Sequence, residues 1–92
     1  MTIQGYMIDV DFDGQVLRVH GKNKAARIAL AGEDHGHDVA VPKAAIADVT
    51  LKDASMLTNG NLKVTTTDGK RYQLHFRRKQ AGDFRSLADA LR

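Results

Sequence analysis

The sequence predicts a mostly β domain closed by one C-terminal α-helix, and three observations support this prediction. Apolar and polar residues alternate in YMIDVDF at 6–12 and KRYQLHF at 70–76, which is the two-residue period of a half-buried strand. Asp-Gly pairs, which favour tight hairpin turns, adjoin both segments. From Ala81 the apolar spacing becomes helical. We expect residues 1–92 to form a single domain.

The first predicted hairpin joins 6–12 to QVLRVHG at 15–21 through Asp13-Gly14. The Asp-Gly pair suits a two-residue type I′ turn, which needs positive φ angles. One face of the hairpin is apolar, with Tyr6, Ile8, Val10 and Phe12 on the first strand and Leu17 and Val19 on the second; Met7, Asp9 and Asp11 are expected on the opposite face of the first strand.

The second predicted hairpin joins NLKVTTT at 61–67 to 70–76 through Asp68-Gly69. Leu62 and Val64 share a face on its first strand, and Tyr72, Leu74 and Phe76 share one on its second. Three further segments bring the expected number of strands to seven: KAARIAL at 24–30, which is ambiguous between strand and helix, HDVAVP at 37–42, whose proline suits an edge or a strand end, and IADVTLKD at 46–53.

The C-terminal segment predicts an amphipathic helix. Its apolar residues Phe84, Leu87, Ala88 and Leu91 follow the spacing i, i+3, i+4 and i+7, and Asp83 stands near the start. Seven antiparallel strands and one such helix fit a pleckstrin-homology-like (PH-like) barrel whose open end the helix closes, although other small β-barrels fit as well.

Composition narrows the function classes. Cysteine is absent, which excludes disulfides, thiolate nucleophiles and cysteine-based zinc sites. No apolar run approaches the roughly 20 residues of a membrane span and no secretory leader pattern opens the chain, so we expect a cytoplasmic protein without an integral membrane segment. The net charge is +3, and residues 47–92 hold nine Lys/Arg against five Asp/Glu, a weak indication of an anionic partner.

Two segments resemble a known family. LTNGNLKV at 57–64 and HFRRKQAGDFRSL at 75–87 look like the hallmark segments of a bacterial, mainly actinobacterial, PH-like domain family of unknown function, which is often followed by a helical SHOCT tail. The resemblance implies a PH-like fold and no activity, and bacterial PH-like domains as a class form homo-oligomers. The sequence departs from the family in having no tail after Arg92 and a short connection at Asp68-Gly69. The matching positions are Val41-Pro42, Ile46 to Val49, Leu57 to Gly60, Phe76 to Gln80 and Asp83-Phe84.

The stretch at 56–59, Met56, Leu57, Thr58 and Asn59, is the candidate interaction site. Asn59-Gly60 is a strong turn signal, which places Met56 and Leu57 on the approach to a turn rather than in a regular strand. The two apolar residues either fold over the open barrel edge as a lid or form an exposed patch for self-association.

A second candidate site is basic. Arg71, Arg77, Arg78 and Lys79 could bind lipid headgroups or nucleic-acid phosphate, in a stripe with Lys63 and His75 if these share the outward face of the last hairpin. The simpler interpretation is a solvated, solubilising face, since stacking aromatics are few. In PH-like domains that bind phosphoinositides, basic residues usually cluster on the first hairpin, where this chain has Asp11 and Asp13.

Metal binding and catalysis have little support. His35 and His37 in EDHGHD at 33–38 could ligate zinc, nickel or copper, but a polar loop explains them as well, so we expect no metal and no cofactor. Ser55 and Ser86 lack a nucleophile elbow, and no nucleotide-binding motif is present, so we expect the protein to have no enzymatic activity. The leading hypothesis is a non-catalytic interaction module that acts through protein–protein contacts or self-association; anion binding is the alternative.

Overall fold

The computed structural model describes residues 1–21 and 38–92. These residues form a four-stranded antiparallel sheet in the order β1-β2-β3-β4, a three-stranded sheet in the order β5-β6-β7, and a C-terminal helix. This is the PH-like arrangement that the sequence predicts. The elements are β1 (Thr2–Gly5), β2 (Ile8–Phe12), β3 (Val16–Gly21), β4 (Asp38–Pro42), β5 (Ile46–Lys52), β6 (Gly60–Thr66), β7 (Arg71–Phe76) and α1 (Ala81–Leu91), with short 3₁₀ helices at Lys43–Ala45 and Arg78–Gln80.

The core lies between the two sheets and α1. The rings of Phe76 on β7 and Phe84 on α1 stack with their centroids 4.5 Å apart, and both are fully buried. Such pairs add about 0.5–1.5 kcal/mol beyond the burial of their surface. The alternating apolar residues of both predicted hairpins, except Tyr6, are buried, which confirms their predicted faces.

The helix follows its predicted pattern. α1 begins at Ala81, and Phe84, Leu87, Ala88 and Leu91 all face the core. Pro42 also confirms its prediction, because it ends β4, which is an edge strand among residues 1–21 and 38–92, and a missing N–H there does not break the ladder.

The predicted first strand is wrong at its start. The strand begins at Ile8 instead of Tyr6, because Tyr6 and Met7 form the turn between β1 and β2. Met7 has a positive φ of 61° and packs partly against the core, so it does not share the outward face. β1 was not predicted, because its short segment TIQG contains a single large apolar residue, Ile3.

The turns of the two hairpins are longer than predicted. Phe12 pairs with Leu17, so four residues separate the paired positions, and only Gly14 has a positive φ. A type I′ turn would need positive φ at two residues. The turn is closed instead by Asp13, whose carboxylate accepts hydrogen bonds from the N–H groups of Gln15 and Val16, both at 2.8 Å. The N–H groups of these two residues lower the pKa of Asp13.

The second hairpin uses a three-residue connection. Thr66 N–H donates to the Lys70 carbonyl at 2.8 Å, and Thr67, Asp68 and Gly69 lie between them. Gly69 has a φ of 88°, which fits a three-residue loop with glycine in the left-handed position. The Thr66 hydroxyl donates to the Asp68 carboxylate, and this bond lowers the pKa of Asp68.

Two predicted segments lie outside the residues that the structure describes. They are KAARIAL at 24–30 and the histidine pair His35 and His37.

Asn59-Gly60 was predicted as a turn, and this prediction is wrong. Gly60 is the first residue of β6, is buried, and does not have a positive φ. A Cβ at Gly60 would lie 2.3 Å from the Phe76 ring, so glycine is needed there for close packing.

Candidate functional site

The loop between β5 and β6, residues 53–59, carries two projecting apolar side chains. Met56 is 86% exposed and Leu57 is 95% exposed. Side chains exposed to this degree cannot cover the barrel, so the lid interpretation is wrong. The prediction that remains is an exposed apolar patch.

Ser55 holds this projecting conformation. Its N–H donates to the Thr58 carbonyl at 2.9 Å, and its hydroxyl oxygen accepts from the N–H groups of Leu57 and Thr58 at 3.2 and 3.0 Å. The two hydroxyls of Ser55 and Thr58 are also hydrogen-bonded at 2.8 Å. These bonds close a turn over 55–58 and leave Met56 and Leu57 at its tip.

The base of the same loop is tied to the helix. Arg85 Nε on α1 donates to Asp53 Oδ1 at 3.2 Å. Both side chains are more than half exposed, so this ion pair contributes little to stability, about 0.2–1 kcal/mol. It also neutralises the carboxylate nearest in sequence to the tip.

The basic segment Arg77, Arg78 and Lys79 follows β7 and is held in place by Gln80. Gln80 Oε1 accepts from the Arg77 N–H at 2.8 Å, while Gln80 Nε2 donates to the Gly5 carbonyl at 3.4 Å. Gln80 therefore fastens the segment to the end of β1, 75 residues away in sequence.

Tyr6 connects the basic segment to the first sheet. The Arg77 guanidinium lies over the Tyr6 ring, 5.1 Å from its centroid, in a cation–π contact. The Tyr6 N–H donates to the His75 carbonyl at 2.8 Å, which fixes the β1–β2 turn beside the end of β7.

These elements meet in one surface. An open groove of about 430 Å³ separates the loop tip from the basic segment. The cations Arg77, Arg78 and Lys79 line a second open depression together. We call the whole the tip surface. It comprises Tyr6, Met56, Leu57, Thr58, Asn59, Arg77, Arg78 and Lys79.

The structure thus brings together the apolar candidates and three of the four basic candidates. Arg71 does not belong with them: it begins β7, and Arg77 lies six positions further along an extended chain, about 20 Å away. Lys63 pairs with Gln73, which lies between Arg71 and His75 on β7, so these residues share the outward face of the last hairpin as the predicted stripe requires. Tyr6 and Gln80 were not predicted as site residues, because their roles depend on contacts between distant elements.

His75 lies opposite Asn61 on that outer sheet face and is about half buried. Burial lowers its pKa from the ordinary value of 6.5, because desolvation disfavours the charged imidazolium. Protonation of His75 is therefore linked to folding rather than to the tip surface.

A separate depression of about 430 Å³, away from the tip surface, lies on the outer face of the first sheet. Its charged groups already have partners: His20 Nδ1 lies 2.5 Å from Asp38 Oδ1, Arg18 pairs with Asp13 at 3.4 Å, and Thr2 donates to Asp11 at 2.9 Å. Groups paired within the fold are poor candidates for binding a ligand, so the tip surface is the better site.

Among residues 1–21 and 38–92, no group of three or more His, Asp or Glu side chains is placed to hold a metal ion. In the same part of the chain, no helix has the length and apolar character needed to cross a membrane.

The fold and the surface together define a small PH-like β domain with an exposed apolar tip beside three cations. Comparison of the chain with protein-family models, with curated proteins and with solved structures found no match.

Proposed function

We propose that this domain is a non-catalytic interaction module and that the tip surface is its binding site. The observation that carries the proposal is the exposure of Met56 and Leu57, at 86% and 95%. Exposed apolar side chains next to each other at a loop tip gain free energy only when a partner removes them from water, about 1.5–3 kcal/mol for each fully buried one. Protein–protein contact, including self-association, is the first kind of partner to test.

Anion binding is the second candidate, and the position of the basic segment favours it. Arg77, Arg78 and Lys79 are exposed, and none forms a salt bridge with the described part of the chain. Unpaired cations beside the apolar tip would attract a partner that carries negative charge. Arg71, at the far end of β7, would not take part.

The resemblance of 57–64 and 75–87 to the bacterial PH-like family supports an interaction role rather than catalysis. We propose membership of that family on these segments. The structure adds a reason for two of the family-like positions: Gly60 makes room for Phe76, and Gln80 fastens the basic segment.

Light scattering after size exclusion, at low and at high salt, tests self-association. A defined oligomer that persists in high salt and is lost in Leu57→Asp, with Leu57→Ala less affected, would support contact through the tip. Leu57→Asp should leave the fold intact because the side chain is almost fully exposed. A monomer at both salt concentrations would remove self-association and leave partners other than a second copy.

A further inference from the structure

A second copy of this chain fits the tip surface poorly. In a two-fold symmetric contact both copies bury the same patch, so Arg77, Arg78 and Lys79 of both copies would be brought into one interface. Opposed like charges at an interface weaken association. Asp53 offers no relief, since it is already paired with Arg85. The charge of the surface therefore selects a partner that is itself negative.

The shape of the tip surface further limits the kinds of partner that fit it. Met56 and Leu57 project from a turn that Ser55 holds closed, instead of lining an apolar cavity. A rigid protein partner would need a pocket matched to this tip. The boundary between lipid headgroups and acyl chains needs none, because it deforms around whatever side chain enters it.

The other residues of the tip surface are of the types that are found where proteins meet a membrane interface. Tyr6 is half-buried, and its ring lies under the Arg77 guanidinium in the same groove. Tyrosine is enriched at headgroup depth, and arginine and lysine pair with lipid phosphate. An apolar tip with an aromatic ring and three cations beside it matches the residue types of interfacial binding, in which apolar burial and charge attraction act together.

We infer that the tip surface docks on an anionic lipid bilayer. Met56 and Leu57 enter the interface, and Arg77, Arg78 and Lys79 contact lipid phosphates. The inference rests on the proposed function, in that the tip surface is the binding site, and it names the partner. Gln80 acts as a positioning residue, because its hydrogen bonds to Arg77 and Gly5 hold the basic segment beside the groove.

Co-sedimentation with vesicles tests the inference. The probes are vesicles of phosphatidylcholine alone and vesicles of phosphatidylcholine with phosphatidylserine. We expect binding only to the second kind, weakened by salt because exposed charges are screened. Each cation near an anionic surface contributes about a fivefold increase in partitioning, so Arg78→Ala should weaken binding by about that factor.

Matched variants distinguish binding through the tip surface from attraction by the positive charge of the whole protein. Arg71→Ala removes the same charge at the far end of β7 and should change binding less than Arg78→Ala. Leu57→Ser should weaken binding about tenfold or more, since a buried leucine contributes at least that much. Circular dichroism spectra that match the unchanged protein would show that each variant is folded.

Several outcomes would overturn the inference. Equal binding to both kinds of vesicle, or equal losses for Arg71→Ala and Arg78→Ala, would contradict docking through the tip surface. Binding to short duplex DNA without binding to vesicles would assign the cations to nucleic-acid phosphate. Failure on vesicles together with a salt-resistant oligomer that Leu57→Asp disrupts would reject the bilayer and keep the proposed function. If the protein neither binds vesicles nor forms the salt-resistant oligomer, that result would count against both bilayer docking and the proposed function.

Discussion

Gly60 and Phe76 lie so close that a Cβ on Gly60 would fall 2.3 Å from the Phe76 ring. The same Cβ would be 2.8 Å from the backbone nitrogen of Ala54, at the base of the loop that carries the tip. Phe76 has no room to withdraw, because it is fully buried and stacked on Phe84. This contact links the packing of the core to the path of the loop.

Gly60→Ala should therefore destabilise the fold. Overpacking of a well-filled core costs about 1–3 kcal/mol, and here backbone and ring atoms are both in the way. Urea unfolding followed by circular dichroism measures the loss. Gly82→Ala is the control, since nothing lies within 4 Å of a Cβ there. Alanine in the helix should leave stability unchanged or raise it by up to about 1 kcal/mol. Equal stability of the two variants would contradict the close packing at Gly60.

Two leucines should lose very different amounts of stability on the same change to alanine. Leu87 on α1 is fully buried, and Leu87→Ala should lower the free energy of unfolding by about 2–5 kcal/mol, because it removes core contacts and leaves a cavity. Leu57→Ala should change it by less than about 0.5 kcal/mol, because that side chain is already in water. Chemical denaturation of both variants measures the difference. A large loss in Leu57→Ala would revive the lid interpretation.

Gln80→Ala should loosen the basic segment. It removes the acceptor of the Arg77 N–H and the donor to the Gly5 carbonyl, and a hydrogen bond of this kind contributes about 1 kcal/mol. Hydrogen exchange of the Arg77 amide should accelerate about fivefold. Gln80→Glu keeps an acceptor for Arg77 and should restore part of the protection. Exposed Gln15→Ala serves as the control, and an equal effect there would argue against a positioning role for Gln80.

Stability should fall as the pH drops below the ordinary histidine pKa of 6.5. Burial lowers the pKa of His75 in the folded state, so the unfolded chain binds the proton more readily. The contribution of His75 is therefore complete above pH 6.5 and is lost as the pH falls towards its folded-state pKa. Urea midpoints at about pH 7.5 and about pH 5.5 measure the loss.

His75→Gln should reduce this pH dependence, whereas His20→Gln, on the outer face of the first sheet, should leave the His75 contribution in place. A pH dependence that persists unchanged in His75→Gln would show that the slope comes from other groups.

The elements with a strong local period were predictable. The apolar residues of the hairpins and of the helix are buried as expected, because one-sided burial repeats every two residues in a strand and every three to four in a helix. Examples are Leu17, Val19, Leu62 and Val64 on the strands and Phe84, Leu87, Ala88 and Leu91 on the helix. β1 was missed because four residues with one large apolar side chain carry too short a pattern. The Asn59-Gly60 turn prediction failed because tertiary packing against Phe76, and not backbone conformation, requires the glycine.

The candidate site was predictable only in parts. Met56, Leu57, Arg77, Arg78 and Lys79 were recognised, but as two separate sites, and Arg71 was grouped with cations that lie beyond the other end of β7. Spacing along a strand shows which residues share a face, but not which strand ends meet.

The sequence by itself determined the β-rich class, the hairpin faces and the closing helix, because these follow from periodicity within short segments. The tertiary structure alone decided that Tyr6, the tip at 56–57 and the cations at 77–79 lie together. Hydrogen bonds from Tyr6 to His75 and from Gln80 to Gly5 join segments about 70 residues apart, and no local pattern encodes such contacts.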